Sequence, residues 1–412
     1  MAGIIEIVGD AENVLTFGIE LEFVCLWQDE IPRRSKQQVE EFNPRQSLQD
    51  ALVKTKQIPV NPLGTVPATN YNRWTVYEDP TIDLDTIENA VFPEETCKLA
   101  GIELISRALR YREDPWAWEI NTALKAVNGL DRPSDGQRVL ANLTCGFHVH
   151  VGRGEVGFNL EEMKRVLMLM TAFERHLDQL HGQSRVERAS YNEPLSVFFT
   201  RFFAYGEAAL PRTMQAWLGR ITHFELDNFP GKRYACNFSN CYYETANKRT
   251  IEFRQHRGTL IPEEIRAWIS VVCQLVRYAV RHQTADIFNF CLARTSDPDF
   301  TVKRLLATFD VPEETMAFYT ARFKGELDWL AKHDALCRLS ARSLEVNEFA
   351  YWVREITTTD VRIGVVNSMI ATKLMGHGYG TINAGLMGRI REKLMSAPET
   401  DEQGVPMNDA EY

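Results

Sequence analysis

The chain has 412 residues, 44% hydrophobic and 25% charged, an ordinary globular composition with enough length for two or three domains. Its formal net charge of -10 argues against a sequence-independent nucleic-acid binder, which needs a basic surface. The scattered cysteines, the lack of a basic signal-peptide region and an apolar stretch too short to cross a bilayer predict a cytoplasmic protein with no membrane partner.

The first part of the chain combines predicted strands with a polar insertion. Strand patterns occur at residues 14–27, 74–79 and 101–109. Residues 28–73 are polar and punctuated by proline, which indicates an insertion or flexible segment with one helix near 45–56. A further helix is predicted over 116–128, where Gly129 and a turn cluster follow.

The middle of the chain alternates strands with amphipathic helices. A strand is predicted over CGFHVHVG, residues 145–152. Asn159 and Glu162 then match a capping box at the start of a helix. Two short strands are predicted between 233 and 256, followed by a second amphipathic helix over 262–282.

The chain is predicted to divide into a catalytic domain and two smaller C-terminal segments. Residues 1–294 form the domain, 295–397 a mainly helical accessory segment, and the acidic tail 398–412 is expected to be disordered. The glycine-rich segment 375–385 is either a mobile active-site flap or a connector between helices, with the connector as the default interpretation.

Four predicted strands carry apolar residues on one face and titratable residues on the other, because side chains alternate along a strand. The polar sides hold Glu20 and Glu22 in FGIELEF, Glu103 in GIELIS, His148 and His150 in CGFHVHVG, and Glu252 and Arg254, with His256 next along, in TIEFRQH. A solvated sheet face would instead mix lysine, threonine, serine and glutamine.

This set of side chains favours a metal site. Carboxylates that are brought together repel and are costly to desolvate unless a cation lies between them. Carboxylate oxygens with an occasional imidazole and no thiolate favour Mg²⁺ or Mn²⁺, and the number of carboxylates indicates more than one ion. The planar donor fork of Arg254 would suit a phosphoryl group in transfer.

Each motif alone has a simpler interpretation. A single ExE strand is usually a solvated face, and HxH strands also occur in cupin-like sheets and metal hydrolases. GRGEVG, residues 152–157, matches a dinucleotide-binding GxGxxG between strand and helix, but its strand carries two histidines where an apolar strand is required. The agreement of four strands therefore favours a shared metal site.

FGIELEF, WTVYED, GIELIS, CGFHVHVG and RTIEFRQHRGT, taken in this order, resemble the amidoligase family. These are carboxylate–amine ligases related to glutamine synthetase and glutamate–cysteine ligase. The resemblance covers roughly residues 15–280. It implies an α+β fold, a glutamine-synthetase-like curved antiparallel sheet backed by helices, with ATP and two or three Mg²⁺ (or Mn²⁺) ions in the concavity.

The resemblance also implies roles for individual residues. The implied metal ligands are Glu20 and Glu22 on different ions, Glu103 on the Glu22 side, and His148 joining Glu20 and Glu252. His150 would contact ATP phosphate, and Arg254 would stabilise the transferred phosphoryl group beside Glu252. Asn237 and Arg249 would lie near the nucleotide, and the substrate would contact Asp79, Arg185, Arg188 and Tyr191.

The implied reaction is ATP-dependent formation of an amide through an acyl phosphate, from a small-molecule or peptide carboxylate and an amine. Two alternatives stay open at this point. One is a metallohydrolase or cupin-type metal enzyme built on HxH, and the other is a catalytically silent nucleotide-binding protein of the same fold. The sequence leaves the acid and the amine unidentified.

Overall fold

A computed structural model describes the chain in segments. The described residues are 14–28, 43–65, 71–82, 84, 97–112, 114–132, 137–142, 144–181, 195, 232, 234–241, 248–295, 297 and 299–323. Several predictions fall outside them, namely those on Arg185, Arg188 and Tyr191, the segment 375–385 and the tail 398–412.

The described residues form one antiparallel sheet and a set of helices. The strands are β1 (Thr16–Gln28), β2 (Thr75–Glu78), β3 (Cys97–Ile105), β4 (Leu109–Arg110), β5 (Gln137–Leu140), β6 (Gly146–Gly152), β7 (Cys236–Asn237) and β8 (Thr250–Arg257). The helices are α1 (Pro44–Thr55), α2 (Trp116–Asn128), α3 (Leu160–Ala172), α4 (Glu174–Asp178), α5 (Pro262–Arg281), α6 (Thr284–Thr295), α7 (Val302–Thr308) and α8 (Glu313–Phe323).

The long strand β1 lies at the centre of the sheet. The strand order is β2-β3-β1-β6-β8-β7, and the short strands β4 and β5 also pair with β1. Every one of these strand pairs is antiparallel. The mixed α and β architecture with an antiparallel sheet is therefore confirmed.

Most predicted elements lie within two residues of their expected positions. The helix predicted near 45–56 is α1, and the helix predicted over 116–128 is α2. The strand predicted over 101–109 is interrupted after β3, because the amide and hydroxyl of Ser106 both bond to the backbone of Ile19, each at 2.8 Å. Strand β5 was not predicted at all.

One face of the sheet packs against helices to form the core. Alternate residues of the main strands are almost fully buried there: Ile19, Leu21 and Phe23 in β1, Ile102 and Leu104 in β3, Phe147, Val149 and Val151 in β6, and Ile251 and Phe253 in β8. Helices α3 and α5 add Val166, Leu167, Trp268 and Val272 to the same cluster. Burial of each such side chain contributes about 1.5–3 kcal/mol to the free energy of folding. This packing therefore determines which face of the sheet lies against the helices.

Sequence signals at helix starts are confirmed. Asn159 and Glu162 form a reciprocal capping box at the start of α3. Pro262 is the first residue of α5, and Glu263 and Glu264 lie in its first turn. There their negative charges interact favourably with the positive end of the helix dipole. No helix in the described ranges has both the length and the apolar character that a membrane span requires.

The described part of the predicted accessory segment is helical. Helices α7 and α8 contribute Leu305, Leu306 and Tyr319 to the same core as the sheet. Arg322 of α8 donates to Glu264 of α5 at 2.7 Å. The domain boundary near residue 294 stays a prediction.

The expectation that His256 continues the polar face of β8 is wrong. Phe147 pairs with His256 and Val149 pairs with Phe253, so β8 holds one more residue than β6 over this interval. The extra residue shifts the alternation. As a result the His256 ring lies in the core, edge-on to Phe147 at 5.3 Å and 3.7 Å from the Glu264 carboxylate.

Because His256 and Glu264 are buried together, we expect the folded protein to lose stability in acid. Burial lowers the pKa of His256 to about 4. Burial alone would raise the pKa of Glu264, but attraction by His256, Arg257 and Arg322 lowers it to about 2. Below pH 6.5 the unfolded chain binds a proton that folded His256 does not, so stability falls between about pH 6.5 and pH 4. Protonation of Glu264 in the unfolded chain continues the loss below about pH 4.5.

We expect the free energy of unfolding to fall by about 2 kcal/mol from pH 7 to pH 5 through His256 alone. Urea unfolding at each pH measures this difference. His256→Asn should flatten the dependence over that range, whereas the control His282→Asn, at the end of α5, should keep the slope of the unchanged protein. Equal slopes for all three proteins would show that His256 is not responsible.

Candidate active site

The strand register brings the predicted polar residues together on the face opposite the core. Across β1 and β6, Glu20 pairs with His148, and across β6 and β8, His150 pairs with Glu252. Across β1 and β3, Glu22 pairs with Glu103. These three cross-strand pairs place all six side chains in neighbouring positions, and Asn237 of β7 extends the row because it pairs with Glu252.

His148 lies at the centre of three carboxylates. Its Nδ1 is 3.4 Å from Glu20, 3.6 Å from Glu22 and 3.8 Å from Glu252. The amide of Gly146 donates to the Glu22 carboxylate at 2.6 Å, which fixes that acid beside the ring. Among these three carboxylates His148 lies nearest to Glu20, and its role as the metal ligand that joins Glu20 and Glu252 stays a prediction.

A first group of possible metal ligands consists of Glu20, His150 and Glu252, all buried. The Nε2 of His150 is 2.9 Å from Glu20 Oε1 and 3.9 Å from Glu252 Oε1. Burial acts to raise the pKa of Glu20, but attraction to His150 and hydrogen bonds with both histidines lower it well below its ordinary value. His150, which was expected to contact phosphate, thus lies among the possible ligands.

Glu252 is held by two donors. Asn237 donates its amide to Glu252 Oε2 at 2.7 Å, and the Arg254 guanidinium is paired with Glu252 Oε1. Burial would raise the pKa of Glu252, but attraction by His150 and Arg254 lowers it to about 2. Glu252 is therefore ionised at neutral pH, with its carboxylate oriented toward His150.

A second group consists of Glu22, Asp79 and Glu103, whose ligand oxygens lie within 4.8 Å of one another. Burial raises the pKa of Glu103 well above its ordinary value, and repulsion from Glu20, Glu22 and Asp79 raises it further. Asp79 was expected beside the substrate, and it lies here in a group of possible metal ligands. A bound cation would relieve the mutual repulsion of these three carboxylates.

The two groups fit Mg²⁺ or Mn²⁺. Their donors are carboxylate oxygens with a single imidazole, and neither group includes a thiolate. Such hard oxygen donors match these ions rather than structural zinc. The raised pKa of Glu103 reflects the same crowding of carboxylates, and a bound dication would stabilise its ionised form.

Arg249, which was predicted to lie near the nucleotide, contacts the loop between β6 and α3. Arg249 has a left-handed backbone at φ 51° and donates its guanidinium to the carbonyl of Glu155 at 2.6 Å, in the GRGEVG loop. Gly154 and Gly157 of that loop have positive φ values. The loop glycines thus serve a tight turn between β6 and α3.

Two contributors to the site were missed. The Lys248 ammonium lies 2.9 Å from Glu20 Oε1, and the ring centre of Tyr71 is 5.8 Å from the same ammonium. Lys248 precedes β8 in NKRT and has no strand alternation to mark it. Tyr71 belongs to the segment 28–73, whose polar, proline-rich sequence predicts an insertion at the surface.

Gly146 is required to be glycine by its neighbour. A Cβ at this position would overlap Nε2 of His148 on the same face of β6. We expect Gly146→Ala to displace the His148 ring and weaken Mn²⁺ binding about tenfold or more. Gly18→Ala is the matched control, because its methyl group would lie 3.6 Å from the Ser106 hydroxyl, an ordinary contact. Calorimetric titration with Mn²⁺ compares them, and equal affinities would contradict this role of Gly146.

Comparisons with known proteins bear on the whole site. A family model described as "Putative amidoligase enzyme" matches residues 13–276, which include every strand described above. No match was found among curated proteins. A solved complex of the prokaryotic ubiquitin-like protein Pup with its ligase PafA aligns at 11% identity and TM-score 0.31, covering 92% of this chain and 74% of that one. The family match, over more than half of the chain, shows that this protein belongs to the amidoligase family.

Proposed function

We propose that the protein is an ATP-dependent carboxylate–amine ligase that forms an amide through an acyl phosphate. The observation that carries this proposal is the register of β1, β3, β6 and β8, which aligns Glu20, Glu22, Glu103, His150 and Glu252 on one face of the sheet. The proposal includes a glutamine-synthetase-like curvature of the sheet, with nucleotide in the concavity.

Two metal positions are part of the proposal. Glu20, His150 and Glu252, with His148 beside them, would hold one Mg²⁺, and Glu22, Asp79 and Glu103 would hold another. When bound, such ions neutralise negative charge on the phosphates and on the moving phosphoryl group. The rest of the chemistry is then mostly a matter of positioning and electrostatics.

Arg254 is the proposed catalytic cation. Its guanidinium pairs with Glu252, which fixes the fork at the edge of the first metal group. A second edge of the same planar guanidinium can donate to phosphate oxygens. Asn237 orients Glu252, and we retain Arg249, Arg185, Arg188 and Tyr191 as proposed nucleotide or substrate contacts.

The proposed reaction has two steps. A carboxylate oxygen of the first substrate attacks the γ-phosphorus of ATP, and ADP leaves as the bond to the β–γ bridging oxygen breaks. The amine nitrogen of the second substrate then attacks the acyl carbon, phosphate leaves, and the amine gives up a proton to a nearby base. No side chain of the protein forms a covalent bond with substrate.

The substrate pair and the cellular compartment are also proposals. A carboxylate from a small molecule or a peptide and an amine of either kind would fit an ATP-dependent ligase. The described cysteines Cys25, Cys145, Cys236, Cys241, Cys273 and Cys291 are all buried and unbridged. This agrees with the proposed reducing cytoplasm.

Hydroxylamine trapping tests the proposal without knowledge of the amine. The protein is incubated with Mg·ATP, hydroxylamine and a panel of carboxylic acids, and both ADP and acyl hydroxamate are measured. The proposal predicts equal amounts of the two products with at least one acid, and none without Mg²⁺. ADP without hydroxamate would instead indicate phosphotransfer or hydrolysis.

Metal analysis separates the alternative built on HxH. A metallohydrolase or cupin-type enzyme would retain about one zinc or iron ion per chain after purification without chelator. The ligase proposal predicts substoichiometric transition metal and activation by added Mg²⁺. ATP binding with no product over the full panel of acids and amines would indicate the catalytically silent variant.

A further inference from the structure

Lys248 places a positive charge beside the Glu20 carboxylate, which belongs to the first group of possible metal ligands. Its Nζ lies 2.9 Å from Glu20 Oε1, and His150 Nε2 lies 2.9 Å from that same oxygen. Glu20, His150 and Glu252 are the three residues whose ligand atoms could hold an ion together. An ammonium and a dication would thus share the Glu20 carboxylate.

The surrounding structure holds Lys248 in this position. Arg249, the next residue, has the left-handed φ of 51°, uncommon for a residue with a side chain, and is anchored by the Glu155 carbonyl. Strand β8 begins directly afterwards at Thr250, whose hydroxyl lies 3.3 Å from His150 Nδ1. The turn therefore directs Lys248 toward Glu20, and the Tyr71 ring centre lies 5.8 Å from its ammonium.

The two cations cannot both lie close to this oxygen at low cost. A metal ion on Glu20 Oε1 would be about 2.1 Å away, so it would lie within about 5 Å of the Lys248 ammonium at its observed distance of 2.9 Å. Charges this close in a largely buried site repel strongly. The Lys248 side chain has a flexible four-carbon stem and is 25% exposed, so it has room to withdraw.

We propose that Lys248 is a tethered counter-ion that competes with the divalent metal ion for Glu20 and is released when the ion binds. This inference rests on the proposed function only in requiring that a metal ion binds Glu20, His150 and Glu252. Lys248 is thus a positioning residue that keeps the acidic face assembled. Its competition lowers the apparent metal affinity, so that loading depends on the concentration of the ion.

Manganese binding tests this directly. Chelator-treated wild type, Lys248→Met and Lys248→Arg are titrated with Mn²⁺ alone, and free Mn²⁺ is measured by electron paramagnetic resonance. Methionine removes the charge while keeping a similar length, and arginine keeps the charge as the matched control. Lys248→Met should bind Mn²⁺ about tenfold more tightly than wild type, and Lys248→Arg should bind within about threefold of wild type.

A second measurement uses the wild-type protein alone. An amine-reactive acylating reagent, followed by peptide mass spectrometry, should modify Lys248 faster with Mn²⁺ than with EDTA, because the released ammonium becomes accessible. Unchanged labelling, or Mn²⁺ affinity that is equal or weaker in Lys248→Met, would overturn the inference. Failure of all three proteins to bind Mn²⁺ would overturn both it and the metal sites of the proposed function. Tighter binding by Lys248→Met, with no acyl hydroxamate in any screen, would support the counter-ion and contradict only the ligase proposal.

Discussion

Glu252→Gln is expected to weaken Mn²⁺ binding at least about a hundredfold and to lower the free energy of unfolding by about 3 kcal/mol. The ionised Glu252 carboxylate accepts from Asn237 and pairs with Arg254 on a buried face. A neutral amide of the same shape leaves the Arg254 guanidinium without its charged partner. Calorimetric Mn²⁺ titration and urea unfolding at pH 7 measure the two effects.

The control is Glu78→Gln on β2. Glu78 is 62% exposed and pairs with Arg45 at 3.0 Å, so its loss should change the unfolding free energy by less than about 1 kcal/mol. Glu252→Gln should also reduce any ATP-dependent product formation about a thousandfold. A Glu252→Gln protein as stable as Glu78→Gln, with normal Mn²⁺ affinity, would contradict the account of this face.

Glu103→Gln is expected to act in the opposite direction on stability when EDTA is present. Glu103 lies directly opposite Glu22 in the sheet, and burial and the neighbouring carboxylates raise its pKa well above the ordinary value. A carboxyl with a raised pKa is destabilising above its unfolded-state pKa, because the unfolded chain releases the proton more readily. Replacing this carboxyl group with an amide should therefore raise the unfolding free energy at pH 7 by about 1 kcal/mol.

Added Mg²⁺ should reverse the order of the two proteins. The ion stabilises wild type through Glu22, Asp79 and Glu103, whereas the Glu103→Gln site has lost one charged ligand. Thermal unfolding in EDTA and in excess Mg²⁺ shows this as a smaller increase in Tm for the variant. Lower stability of Glu103→Gln in EDTA would mean that Glu103 forms a stabilising polar contact rather than a repulsive one.

The alternation of side chains explains why much of the site could be predicted. In β1, β3 and β6 every second residue is apolar and faces the core. The residues between them must lie on the other face, because side chains alternate along a strand, and they are Glu20, Glu22, Glu103, His148 and His150. Antiparallel pairing then brings them together without any loop contribution. The helices were located by the 3.6-residue period instead, since α3 and α5 have strong apolar stripes and clear starting signals.

The predictions from sequence failed for residues whose position depends on strand pairing or on backbone conformation, which the local sequence pattern does not indicate. The extra residue in β8 places His256 in the core, and only the pairing with β6 reveals it. Lys248 enters the site through the left-handed backbone of Arg249, a conformation that nothing in NKRT indicates. Tyr71 lies near the site although it belongs to a polar segment, because the path of that segment depends on tertiary contacts. The roles assigned to Arg185, Arg188 and Tyr191 stay predictions.

The most direct test of the central claim is the binding of a non-hydrolysable ATP analogue, measured by calorimetry with Mg²⁺ and again with EDTA. Because the acidic face would repel a triphosphate unless cations neutralise it, we predict binding with Mg²⁺ and none detectable with EDTA. Glu252→Gln should bind weakly or not at all under both conditions. Equal affinity with and without Mg²⁺, or no binding in either, would contradict the assignment of this face to metal-dependent nucleotide chemistry.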